Sequence, residues 1–261
     1  MFVMPHINKS PAVGLVIVGL VVAVGVATVL HHNPFGAVDA SVLEWMVSHR
    51  SSGGITVIAG VTGLFGPVWV VAWTAIAAVA FILFDRNAVR AITVVASVAV
   101  AGALGAILKL VFDRTRPPFV DQAATFEASQ SFPSGHVTGT TALVLGLALA
   151  VTVGMTRRSR IAAIVIAMVV AAFAALTRLY LGLHWFSDIL AGIAVGAAAA
   201  IAVPSVVVAV LVALGPHLPQ RTRPYLYPPT SLYPPTNPSP PTSFGHPEQP
   251  QEGRHSAPVA S

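Results

Sequence analysis

Three short polar segments interrupt an otherwise apolar chain, and each combines residue types suited to holding an anion or moving a proton. The first runs from Lys109 to Arg116 and Pro117; the two cations are seven residues apart. A helix continuing to near Pro117 would set them about two turns apart on one face, presenting two positive charges to one anion. The second is Pro133-Ser134-Gly135-His136, which opens an apolar stretch. Ser134 stands where a helix N-cap belongs, Gly135 lets a backbone come close, and free N–H groups at a positive dipole end suit a phosphate. The third joins Thr177 and Arg178 to His184 and, four residues on, Asp188. That spacing on an opening helical turn lets the carboxylate hold the imidazole in one tautomer.

Other polar residues have plainer readings. His6, His31, His32, His49, His217, His246 and His255 are expected to be ordinary polar side chains, and Arg86 and Arg157 to snorkel or set topology. Asp113 and Arg114 lie off the spacing of the first segment, which points to a local ion pair or a lipid contact. The stretch from Gly102 to Gly105 suggests close helix packing. The nine acids are dispersed along the chain without a D-x-D pair, so neither a metal site nor a cofactor is expected. With no cysteine, disulfides, thiolate metal sites and cysteine nucleophiles are excluded.

The elements that must position these groups belong in a bilayer. Hydrophobic residues fill 55% of 261 positions, charged residues 9%, and mean hydropathy is +0.79; soluble domains carry about a quarter charged residues. The fold expected is an all-α, polytopic membrane bundle of six transmembrane spans: Val13 to Leu30, Val68 to Phe84, Ala91 to Phe112, Val137 to Val153, Ile161 to Tyr180, and one within Phe186 to Leu214. The first is read as a retained span, being longer than a signal-peptide core and lacking a small-x-small cleavage site. Val38 to Arg50 reads as an amphipathic surface helix with Val42, Leu43, Trp45, Met46 and Val47 on its apolar side, and Ile55 to Phe65 as re-entrant or interfacial. Lys9, Arg86, Arg90, Arg157, Arg158, Arg160, Arg221 and Arg223 fall on one side, which the positive-inside rule makes cytoplasmic along with both termini. The three polar segments then share the opposite, extracytoplasmic face. The net charge of +5 is scattered rather than gathered in a stripe, so a nucleic-acid partner is not expected. Residues 1–215 form the membrane domain in this reading; from Pro216 to Ser261 the composition turns to Pro, Ser, Thr and Tyr, a disordered tail whose Tyr-Pro-Pro runs offer at most a weak protein ligand.

Taken in order and at these spacings, the segments resemble the type 2 phosphatidic acid phosphatase superfamily, with its signature K-x6-R-P, P-S-G-H and S-R-x5-H-x3-D. The resemblance covers roughly Ile55 to Val203, and Thr177 stands where the family usually has Ser. It implies that His184 attacks phosphorus, that Asp188 orients it, and that His136 protonates the leaving group and then activates water. Lys109, Arg116 and Arg178, with Ser134 and the Gly135 amide, would hold the phosphoryl oxygens. It further implies a membrane lipid phosphate as substrate; a polyprenyl diphosphate is expected first, with phosphatidic acid or phosphatidylglycerophosphate as alternatives. Phosphoryl transfer to another lipid is a second alternative. Noncatalytic lipid binding or transport would not require the two histidines and the aspartate together.

Overall fold

The computed structural model describes residues 10–214, together with His217 and Leu226. The Pro-rich tail otherwise lies outside the described residues. Eight α-helices follow one another: α1 (Ser10–Val29), α2 (Gly36–His49), α3 (Ser52–Thr62), α4 (Pro67–Leu83), α5 (Ala88–Phe112), α6 (Gly135–Val151), α7 (Arg157–Tyr180) and α8 (Phe186–Leu214), and there is no strand among the described residues. Polar caps mark several starts: Ser51, Asn87 and Thr156 each accept a backbone N–H two or three residues into the helix that follows. Pro67 opens α4 at the first helical position, where a missing N–H costs nothing.

The chain is a multi-pass membrane protein. Four helices, α1, α5, α7 and α8, are long and apolar enough to cross a bilayer unaided. The segment Ser52–Phe65 and α4 meet the same test together, as a pair bent by 48° at Gly66, whereas α6, with 17 residues, is apolar but shorter. Large apolar side chains such as Leu15, Val68, Leu110 and Ile166 point outward, as a lipid-facing surface requires. Inside, α6 lies against α4, α5, α7 and α8 and is the best-buried helix.

Of the Gly102 to Gly105 stretch, a Cβ added at Gly102 would meet nothing and one at buried Gly105 would stand 3.7 Å from the Thr138 methyl; helix backbones come closer still on α8. A Cβ on Gly196 would stand 2.6 Å from the Thr138 carbonyl oxygen, and one on Gly192 3.0 Å from that of Ser134, so α8 presses its backbone onto the opening turns of α6. That contact brings the starts of two helices, and the polar residues on them, to one place. The α2 helix also departs from a simple surface helix. Val42 and Met46 pack inward against Ala175, Leu179 and Ile189, while Trp45 stays exposed.

Candidate active site

The helix α5 does not run on to Pro117. Asp113 takes a left-handed conformation (φ 39°), its N–H closing on the Lys109 carbonyl, and the next turn is lost because Arg116 precedes proline. Arg116 therefore reaches the site from a loop rather than from the helix face that carries Lys109. They still converge on one carbonyl: the Lys109 Nζ donates to Gln130 O at 2.5 Å and Arg116 Nη2 to the same oxygen at 3.4 Å. The loop is held by Gln122, whose amide takes the Glu127 N–H and donates to Pro117 O, and by the Ala123 N–H on Leu181 O. Gly182, at φ +66°, is the residue that lets this loop lie against the α7–α8 turn, since a Cβ there would strike the Asp121 carbonyl.

His184 sits two residues before α8 rather than on its first turn, yet it meets Asp188: Nδ1 to Oδ2 is 3.3 Å. The Arg116 Nη1 lies 2.9 Å from the other ring nitrogen, Nε2. A guanidinium can only donate, so Nε2 carries the lone pair and Nδ1 the hydrogen given to Asp188. Burial pushes the His184 imidazole down to about 4; Asp188 opposes that, and Arg116 and Arg178 add to it. The ring is thus neutral near pH 7, with its Nε2 lone pair accepting from the Arg116 guanidinium.

Around this pair the structure gathers positive charge. Arg178, on the last turn of α7, is 2% exposed and donates to Glu127 Oε1 at 2.5 Å, while Arg116 meets the other oxygen of that carboxylate at 2.8 Å. Burial alone would raise the Glu127 carboxyl, but the two arginines outweigh it and hold it below its usual range. One carboxylate is gripped by both arginines, so the pair is already arranged to hold an anionic group. Two donors there have no partner: the buried Ser134 Oγ, which occupies the N-cap position of α6 but makes no capping bond, and the Arg178 Nε. Gly135 has the Lys109 stem beside it, 3.9 Å from where its Cβ would be. His136, on the first turn of α6, lies within electrostatic reach of Arg178, Glu127, His184 and Arg116, and its Nε2 is 3.4 Å from where a Cβ on Gly66 would stand. All eight expected site residues therefore come together.

Thr177 does not contribute its hydroxyl. That group donates to Ala174 O and pairs with Thr62 of α3 at 2.9 Å. Arg114 overturns its expectation as a local pair or lipid contact. It bonds Asp188 Oδ1 at 2.6 Å, Asp39 Oδ2 at 2.8 Å and the Ser187 hydroxyl at 2.7 Å, and stacks over Trp185. Two of the acids dispersed in sequence thus share one arginine. Ser131, which donates to Asp188 Oδ2, and Glu127 were also not singled out by spacing. Asp39 carried a usable signal: it lies three and seven residues before Val42 and Met46, on the same inward stripe of α2.

The fold and these groups define a class: a helical membrane protein with a cluster of cations around a carboxylate-oriented histidine. Residues 90–212 match the model of the PAP2 superfamily. Among solved structures it resembles a transmembrane PAP2-type phosphatidylglycerolphosphate phosphatase from Bacillus subtilis. The TM-score is 0.63 at 22% identity, over 77% of this chain and 96% of the other. No curated protein sequence matches it.

Proposed function

We propose that this protein is a metal-independent lipid phosphatase working through a phosphohistidine on His184. The observation that carries the reading is the His184 ring itself, its Nδ1 hydrogen on Asp188 and its Nε2 lone pair facing Arg116, beside two arginines that already grip an anion. In the first step Nε2 bonds to phosphorus and the P–O bond to the lipid breaks, His136 giving its proton to the leaving oxygen. In the second, His136 takes a proton from water, the oxygen bonds to phosphorus, and the N–P bond breaks. Lys109, Arg116, Arg178, Ser134 and the Gly135 amide hold the phosphoryl oxygens, with the phosphate displacing the Glu127 carboxylate. Fixed cations of this kind are most of what phosphoryl-transfer catalysis requires.

A polyprenyl diphosphate is the first substrate to test, because an outward site receives carrier lipids from the outer leaflet. Phosphatidylglycerophosphate, the substrate in the Bacillus subtilis protein's description, and phosphatidic acid are its competitors. Phosphate release from a panel of these lipids, with and without a lipid acceptor, separates hydrolysis from transfer. Activity is expected to survive EDTA and to be blocked by vanadate, whose trigonal-bipyramidal form suits the cation cluster. Loss in EDTA with recovery in magnesium overturns the metal-independent reading.

The site is proposed to face away from the cytoplasm, with both termini inside. Arg86, Arg90, Arg157, Arg158 and Arg160 mark the short loops at the other ends of the helices, which the positive-inside rule reads best. Single cysteines at Val120, in the exposed part of the site-side loop, and at exposed Ser159 report it in this cysteine-free chain. An impermeant maleimide on intact cells is expected to label the first and spare the second. The reverse pattern places the site in the cytoplasm.

A further inference from the structure

We propose that Asp39, on α2, is a positioning residue for the reaction: through Arg114 and the first turn of α8 it fixes the Asp188 carboxylate that orients His184. The inference rests on His184 being the nucleophile. Asp39 lies outside residues 90–212, the segment matched by the family, and more than a hundred residues from Asp188 in sequence, yet it is 3% exposed. A buried carboxylate is costly unless its oxygens are all engaged. Those of Asp39 are: Oδ1 accepts the Ser187 backbone N–H at 2.8 Å, and Oδ2 accepts the Ser187 hydroxyl at 2.8 Å, Arg114 Nη2 at 2.8 Å and the Asn33 amide at 3.0 Å.

The consequence lies in what these partners touch. Ser187 is the residue before Asp188, so Asp39 caps from outside the helix turn that carries the orienting carboxylate. Arg114 uses its other nitrogen on Asp188 Oδ1, which leaves Oδ2 for His184, the Trp185 N–H and the Ser131 hydroxyl. Without Asp39, Arg114 would be drawn wholly to Asp188 and could shift along it, and the first turn of α8 would lose its cap. The His184 to Asp188 contact, already long at 3.3 Å, is the geometry with least margin. The α2 helix between α1 and α3 is thereby part of the catalytic apparatus rather than a surface strap.

The test uses the full chain in detergent with ³²P-labelled short-chain phosphatidic acid as probe, following acid-labile phosphoenzyme after rapid quenching. In Asp39→Asn, phosphoenzyme formation is expected to slow by about 10–100-fold, the cost of a misplaced reacting group, with KM within about twofold. Asp39→Asn/Arg114→Lys should lose little more than Arg114→Lys alone, since both act through one carboxylate. Rates are divided by the folded fraction from a thermal melt. A loss that disappears on that correction makes Asp39 structural and overturns the proposal, as does a variant that forms phosphoenzyme at the wild-type rate. Should Asp39→Asn not fold, Asp39→Glu and Ser187→Ala take its place under the same criteria. A wild type that releases phosphate from this probe, or from a labelled polyprenyl diphosphate where the probe is not turned over, without forming phosphoenzyme overturns the His184 reading itself, and this inference with it.

Discussion

His184→Ala is expected to lower turnover by on the order of 10⁴ or more, to the background of the assay, since deleting a nucleophile removes the covalent route entirely. No neighbouring group can substitute. His136 is the other imidazole in the pocket, but among the described residues no carboxylate bonds its ring and orients it, and Lys109 is engaged with the Gln130 carbonyl. The fold should survive, for a reason visible in the hydrogen bonds. Removing His184 does not strand Asp188, whose oxygens keep Arg114, Ser131 and the Trp185 N–H. What is lost is a buried ring beside Arg116, which retains Glu127 and the carbonyls of Leu183 and Ser129. A detergent-solubilised variant with a wild-type melting curve and no phosphate release is the expected result. Release within tenfold of wild type would mean that the attacking group lies elsewhere.

The parts of this site that could be read from sequence are those set by local rules. Apolar runs placed α1 and α4 to α8 within a few residues, because spacing across hydrocarbon constrains length and composition so strongly. The histidine and aspartate at four residues' separation were legible because a single turn determines where they meet. Arg116 does meet His184, but from a loop and not from the helix face that spacing suggests. Helical periodicity carried Lys109 and Arg116 on one face, whereas the pair of prolines and the left-handed Asp113 end the helix first. What spacing could not supply was the choice of distant partners. Arg114 and Asp39 are 75 residues apart, Arg178 and Glu127 are 51 apart, and Thr62 meets Thr177 across 115. Such pairs are decided by how α2, α3 and the 113–134 loop fold back over the bundle. The chain shows them only as isolated polar residues, one of which, Arg114, reads as a local ion pair or a lipid contact.

The second large effect is expected from His136→Ala, a loss of roughly 10²–10⁴ in turnover, the usual worth of a placed general acid. The ring opens α6 one residue after Gly135, where the backbone is held against α8 and the Ser134 N–H is tied to the Asp188 carbonyl at 3.1 Å. One helix start thus carries both the buried, unpartnered Ser134 hydroxyl and the proposed acid. On its other side lies Gly66, at the bend between α3 and α4, where an added Cβ would stand 3.4 Å from the ring Nε2. An acid matters most where the leaving group is a poor one. With an alkyl phosphate the departing alkoxide needs a proton and the full loss should appear, whereas a nitrophenyl phosphate leaves as a stabilised anion and should lose far less. Substrates of graded leaving-group pKa, assayed with wild type and variant, should therefore give a steeper dependence for the variant. Parallel lines would remove His136 from the acid role and assign it to holding the phosphoryl group, alongside Arg178 and Lys109.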